Sequence, residues 1–578
     1  MARLSGRKTA LVVLLAAVLL LLGWLYSQRV KPVQMAQYVP AAALGYVEIN
    51  NVPQVIKQVT ATQAWQQLAP AYGLSDKLSY AGSLGGLAQF AGALGGEATL
   101  LARAQLAVAV TALEVRGEQV RPRWALVAET HTNQASLQSV IEKRLPELAR
   151  RAFGQTATRG QREYGGVPIV VYQTTAKEEG DEKQLLSAQL GSVWLLANHP
   201  EAMRACLETR LGRAPSMANN FYLQQARPEV ERTGEVFGFV TGEGVTRLLR
   251  FGAYLIAGGT VGSVGKAALA GAVGDIFTDF STKSTDGVAY GVSFENGAVV
   301  DRYAMLLKPD LTETLRSTIK INQQTPRVLT MIPATVREVT LLNIENPGAA
   351  FGTLETTISS RVGVGQSFIL RHFLSGLQEA FFGLRADELA ARAMGNEVAS
   401  LNFTDDVETR IWLLQMRDKT LMKKLVEKVL TAGGLGMQRE TRGQAELWNS
   451  SNAGRGAAVF LGDYVALGKR EQLLKWLDGR RGLKLTEAPQ LAQANRPSQT
   501  GVTLSLTSTK EDSAEMMARV ARVTGAAQSE SAPAALQQLP LAVSVMSFNQ
   551  QGLFVESHAP LGNFPLFAAM ASGAMGRE

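Results

Sequence analysis

A phrase that recurs within one chain constrains the fold strongly, because each copy must bury its apolar residues in the same way. Residues 39–51 read VPAAALGYVEINN, and residues 332–346 read IPATVREVTLLNIEN. Both open on Pro-Ala, continue as an apolar run and leave through asparagine. The echo goes on in order. WALVAETHTNQASLQSVIEKRL (124–145) is answered by IWLLQMRDKTLMKKLVEKVL (411–430), and EYGGVPIVVYQ (163–173) loosely by TRGQAELWNS (441–450). GSVWLLANHPEAMRACL (191–207) is answered by GDYVALGKREQLLKWL (462–477), and VAYGVSFENGAVVDRYAML (288–306) by LAVSVMSFNQQGLFVESHAPL (541–561). The offset shrinks from 293 residues (Pro40 to Pro333) to 254 (Ser293 to Ser547). Constant order with a drifting offset is what duplication followed by loop deletion produces. Shared α/β patterning alone gives one such match, not five in series.

Each copy reads as a strand, a Gly/Ala-rich helical stretch, a strand–helix–strand–strand–helix–strand block, a further helix and a closing hairpin. Leu137, Val140, Ile141, Leu145 and Leu148 fall at helical spacing, as do Leu421, Met422, Leu425, Val426 and Val429. In FENGAV, Asn-Gly suits the positive φ values of a type I′ turn. The expected class is α+β: two related lobes of largely antiparallel sheet, with helices packed on them. The lobes span 36–306 and 331–578, joined by a linker at 307–330. In GYVEINN the alternation is read as a half-buried strand, with Val47 and Ile49 alternating with Glu48 and Asn50. That makes the phrase the opening strand of a lobe, and its asparagines turn residues.

The N-terminus carries a different pattern. Residues 10–26 are uncharged and rich in Leu, Val and Ala, with Arg3, Arg7 and Lys8 before them and Arg29 and Lys31 after. Trp24 and Tyr26 stand at the far end, where amphipathic rings favour a membrane interface. A cleaved signal peptide needs small residues at its exit, and GWLYSQRVKPVQ offers bulky and charged ones. The expectation is a cytoplasmic segment at 1–9, a transmembrane signal anchor at 10–26, and the remaining bulk in the periplasm or outside the cell. The apolar stretch 251–277 has a GxxxG spacing at Gly258 and Gly262. It also carries Lys266, which is costly in lipid, so it is read as a packed helix or glycine-rich loop.

The formal net charge is +8, but acids and bases are interspersed and no long basic run lies outside the N-terminus, so no nucleic acid is expected as a partner. Cys206 is the single cysteine, which excludes an internal disulfide and a cysteine-based metal site, and its place on an amphipathic helix reads as core. His131, His199, His372 and His558 do not pair at zinc-binding spacing. GGTVGSVGKAA (258–268) has Thr260 and Ala267 where a phosphate loop needs Gly and Ser/Thr. TSTK (507–510) lacks the companion motifs of penicillin-binding enzymes and reads as a helix start with a solvated lysine. The acidic run at 178–182 and the Asp405–Asp406 pair read as solvated turns. No residue is assigned as catalytic, cofactor-binding or metal-ligating, and no cofactor is expected.

YVPAAALGYVEINN behind the apolar N-terminus, LGGEATLL (94–101), MGNEVASL (394–401), and YGGVPIVVY followed by VWLLANHPEAM together resemble a family of uncharacterised bacterial envelope proteins that carry a domain of unknown function. The resemblance implies a bacterial inner-membrane location and supplies no site residues. The expected function is non-enzymatic binding or scaffolding in the cell envelope. The expected partners are the membrane through the N-terminal helix and an envelope protein or lipid. Lipid handling or assembly chaperoning, and hydrolysis or transfer by dispersed residues, stand as alternatives.

Overall fold

Apolar runs rich in β-branched and aromatic residues favour strands. The computed structural model holds twenty among the residues it describes. Those residues are 32–565 without 75–103, 117–118, 154–156, 175–182, 260–263, 323–325, 363–391, 405–408, 432–435, 452–455 and 498–499. The first half contributes β1 (Gly45–Ile49), β2 (Gln105–Arg116), β3 (Gln119–Glu129), β4 (Ala157–Tyr164), β5 (Val167–Thr174), β6 (Gln184–Leu190), β7 (Val193–Ala197), β8 (Val236–Thr241), β9 (Thr285–Glu295) and β10 (Ala298–Leu307). The second contributes β11 (Glu338–Asn343), β12 (Met394–Asn402), β13 (Ile411–Met416), β14 (Met437–Arg442), β15 (Ala445–Ser450), β16 (Ala457–Leu461), β17 (Tyr464–Gly468), β18 (Thr503–Thr507), β19 (Ala542–Phe548) and β20 (Gly552–Ala559).

All the pairings are antiparallel. In the first half they run β4-β5-β6-β7-β3-β2-β1-β8-β9-β10. In the second they run β14-β15-β16-β17-β13-β12-β11-β18-β19-β20, the same order strand for strand. The two stretches with Pro-Ala starts supply β1 and β11. At the tight turn between β9 and β10, Asn296 and Gly297 have φ of 51° and 76°, the positive pair that a type I′ turn requires.

Two expectations are corrected here. The chain does not form two lobes with separate sheets. β10 pairs with β20 from Val299↔Ala559 to Leu306↔Gly552, so all twenty strands form one continuous sheet. The physical reason is the edge. Each half ends in a hairpin whose last strand would expose a row of unpaired N–H and C=O groups, and the two last strands satisfy each other. The transmembrane signal anchor also lacks structural support. Residues 10–26 lie outside the described residues, and no helix among those described is long and apolar enough to cross a membrane. The described residues of the 251–277 stretch fall on two helices, Gly242–Gly259 and Val264–Ser284, packed against each other.

Helices cover both sheet faces because many strands are apolar on both. In β7, Val193, Leu195 and Ala197 join one core, while Leu196 joins another beneath the helix Gln134–Phe153. A third core is built from both halves: Val59, Trp65 and Leu68 pack with Met517, Ala521 and Leu539. The linker region is also packed, with Leu311 and Leu315 of the helix Pro309–Thr318 buried beside Ile344 and Val502.

The seam between β10 and β20 carries charge on both faces. On one, Arg302 reaches Glu556 (2.8 Å), Ser293 (2.6 Å) and Glu295 (2.8 Å), and His558 bonds Glu556 at 2.9 Å. The hydrogen bond from His558 and the Arg302 guanidinium hold the Glu556 carboxyl down at about 2. On the other face, Asp301 accepts from Tyr290 Oη at 2.5 Å, and burial pushes its carboxyl up to about 6. A folded value above the ordinary 3.8 means that ionised Asp301 costs stability. The penalty is absent below 3.8, grows as pH rises from there to about 6, and is constant above that. Asp301→Asn is therefore expected to stabilise the chain by roughly 1–3 kcal/mol at pH 7.5 and by almost nothing at pH 3, read from urea midpoints at the two pH values.

Candidate functional site

β1 sits mid-sheet in the first half, between β2 and β8, with Tyr46 opposite Ala109 and Phe239, and Glu48 opposite Ala107 and Phe237. Tyr46, Ala107, Ala109, Phe237 and Phe239 are all buried in the first-half core. The period of two then carries Glu48 inward with Tyr46 and turns Val47 outward. Glu48 is 1% exposed and Val47 38% exposed. This reverses the expectation for Val47 and Glu48: Tyr46 and Glu48 are buried with Asn50 half-buried beside them, while Ile49 on the other face packs against the third core.

A buried carboxylate needs a cation, and a helix delivers it. Asn220 caps the helix Phe221–Val230 by accepting from Leu223 N at 3.0 Å. Leu223, Ala226 and Val230 form its buried face, and Arg227 lies on the same side, one turn after Leu223. The last turn rests on β9 at Gly291, where a Cβ would stand only 2.4 Å from Val230 O. Arg227 thus lies over the Phe237 ring at 4.0 Å. Its two terminal nitrogens each donate to Glu48 Oε1 at 2.9 Å, and it also reaches Glu231 at 3.3 Å and Tyr46 Oη at 2.9 Å. Burial opposes the Arg227 charge, but Glu48, Tyr46 and Glu231 outweigh it and raise the guanidinium above its ordinary value. Burial, reinforced by Glu48, pushes Glu231 upward against the pull of Arg227.

The network extends along the strands. Asn50 Nδ2 donates to Glu48 Oε1 at 3.1 Å and to Gly234 O at 2.7 Å. Gln105, 1% exposed, uses its full hydrogen-bonding capacity. Its Nε2 donates to Asn50 Oδ1 (2.9 Å) and Val33 O (2.8 Å), and its Oε1 accepts from Val33 N (2.7 Å). His131 Nε2 lies 3.0 Å from the same Oε1, which has no proton to give, so Nε2 is the protonated ring nitrogen. Burial lowers the His131 value, in keeping with a neutral ring. Glu129 accepts from His131 N (3.0 Å) and Tyr38 Oη (3.1 Å). Gln105 thereby clamps the backbone at Val33 from both sides.

These groups border a half-enclosed cavity of about 560 Å³, lined by Glu48, Asn50, Gln105, Arg227, Glu231 and Glu235 and by the aliphatic Pro32, Val33, Pro53 and Ala104. Glu48 Oε1 takes three donors. Glu48 Oε2 is buried and has no partner among the described residues. Glu235, 9% exposed, likewise has Oε1 bonded to Gln58 Nε2 at 3.2 Å and Oε2 without a partner there. An Arg–carboxylate pair commonly uses both oxygens in a fork. Here both guanidinium arms meet one oxygen and the other is left over.

Among the described residues the second half keeps part of this network, with Glu397 accepting from Val328 N at 2.8 Å as Gln105 accepts from Val33 N, but it has no counterpart of Glu48. By register, Leu341 occupies in β11 the place of Glu48 in β1, opposite Ala399 and Leu504. It is 1% exposed among apolar and aromatic side chains. Sequence reading missed Glu48, Arg227 and Gln105. The available signal was the acid of GYVEIN set against the leucine of EVTLLN.

Other residues weighed from sequence take structural places. Cys206 is fully buried, and burial pushes its thiol up to about 12. His199 caps the helix Pro200–Arg210. Thr509 stands at the N-terminus of Lys510–Thr524 without a side-chain cap, and Lys510 bonds Gln537 at 2.6 Å. His372, the acidic run at 178–182 and Asp405–Asp406 lie outside the described residues. Among the described residues no group of three or more His, Cys, Asp or Glu is arranged to hold a metal ion.

Removing Arg227 alone strands the Glu48 charge, so Arg227→Met is expected to cost about 3–5 kcal/mol. Adding Glu48→Leu copies the solution of the second half, and the double variant should recover most of that loss in urea unfolding. No family model, curated protein or solved structure matches the chain.

Proposed function

We propose that this chain is a binding protein of the bacterial cell envelope, with no catalytic step of its own, and that the Glu48 cavity is where it takes its ligand. One observation carries the reading: Glu48 lines the cavity, and its second carboxylate oxygen, Oε2, is buried with no partner among the described residues. A buried acceptor without a donor costs about 1–3 kcal/mol, more when charged, and such a cost persists where a ligand repays it. The cavity volume lies within the range of small-molecule sites. Its walls combine aliphatic surface with a few fixed polar groups, which is how such sites set orientation. The contrast with Leu341 adds support. The same backbone position is filled by a leucine in the second half, so the fold does not require a carboxylate there.

The test is a thermal-shift panel on the purified full chain, with amines, dicarboxylates, sugars, polyols and short amphiphiles at millimolar concentration. A ligand well above its Kd raises the melting temperature by mass action. At least one class is expected to do so, with the rise abolished in the Glu48→Leu/Arg227→Met variant. No rise from any class, or a rise of equal size in that variant, overturns the assignment of this cavity.

A further inference from the structure

The chemistry of the unmet groups names the ligand class, an inference that rests on the cavity being a binding site. The structure assigns to it a small aliphatic ammonium compound, with a diamine as the best match in charge. Its N–H groups would donate to Glu48 Oε2 and Glu235 Oε2, and its methylenes would lie against Pro32, Val33 and Pro53.

Charge decides the sign of the ligand. Three carboxylates, Glu48, Glu231 and Glu235, border the cavity against one guanidinium. That guanidinium is already committed to Glu48, Glu231 and Tyr46. Among the described residues that line the cavity no other cation stands ready to offset the repulsion an entering anion would meet. Hydrogen bonding decides the functional group. The orphaned atoms include two anionic acceptors, Glu48 Oε2 and Glu235 Oε2, against one donor, Arg227 Nε. The balance calls for a donor, and an ammonium brings three. Charge-assisted bonds of this kind are roughly twice as strong as neutral ones.

The alternatives fit less well. A divalent metal wants several convergent oxygens, and no such group occurs among the described residues. A bound metal would also lie close to the Arg227 guanidinium, which is fixed on Phe237. A quaternary ammonium carries the charge but no N–H, and it seeks an aromatic cage, whereas the non-aromatic Pro32, Val33, Pro53 and Ala104 form the apolar wall here. A neutral polyol supplies donors but leaves the carboxylate charge uncompensated.

Isothermal titration of the full chain at pH 7.5 separates these cases, using putrescine, 1,4-butanediol, tetramethylammonium and succinate as probes. Putrescine is expected to bind with Kd below about 1 mM, and each of the other three at least about tenfold more weakly, a difference of about 1.4 kcal/mol. Glu235→Gln keeps the side chain's shape and removes its charge, and should weaken putrescine about tenfold with an unchanged circular dichroism spectrum. Glu48→Gln should do the same; should it fail to fold, Glu235→Gln still decides. Butanediol or succinate binding as tightly as putrescine overturns the ammonium class and leaves the cavity a binding site. Tetramethylammonium binding equally well overturns the N–H contacts. No heat from any probe, together with a silent thermal-shift panel, overturns both readings and leaves a water-filled structural cavity.

Discussion

The pairing of β10 with β20 is the contact on which the rest of the structure depends. Each half builds ten strands in the same order and ends in a hairpin with an open edge. Exposed edges of that length invite pairing with another chain. Joining them within one chain satisfies both and sets the two halves side by side in one sheet. The helices then have a common floor. Trp65 and Leu68 of the first half and Met517 and Leu539 of the second share one core that neither half could build alone. Arg302 secures the same seam by bonding Glu556 across it, with Ser293 and Glu295 taking its remaining arms.

Within this shared frame the halves diverge in chemistry. Leu341 closes its core as an ordinary apolar residue, while Glu48 at the matching register brings a charge into the sheet. A buried charge is tolerated only when it is paired and hydrogen-bonded. Arg227 and Asn50 meet that need for one oxygen, with Gln105 holding Asn50 in place, and the other oxygen has no partner among the described residues. A purely structural ion pair gains nothing from such a leftover acceptor. The network also ties the cavity to the chain that leads into it, because Gln105 holds Val33 through both its N–H and its C=O.

Much of the local structure was legible from sequence, for physical reasons. The helical spacing of Leu137, Ile141 and Leu145 comes from a local period, and these three residues form the buried face of Gln134–Phe153. Asn296-Gly297 turns because few other residues accept positive φ in succession. The single sheet was not legible, since nothing local marks which two edges, some 250 residues apart, will meet. The inward turn of Glu48 was missed for a related reason. A period of two shows that Val47 and Glu48 face opposite ways, but it does not show which face the first-half core will occupy.

The sequence by itself determined not all ten strands of each half but several of the strands and helices, the Asn296-Gly297 turn, the echo between the halves and the burial of Cys206. All of these follow from local periods, backbone preferences or apolar patterning. Only the tertiary structure decided that the two halves share one sheet and that Tyr46, Glu48 and Asn50 point inward. It alone brought Arg227, 179 residues from Glu48, within 2.9 Å of it. Those outcomes depend on edge pairing and on which sheet face the helices cover, and both are settled between segments far apart in the chain.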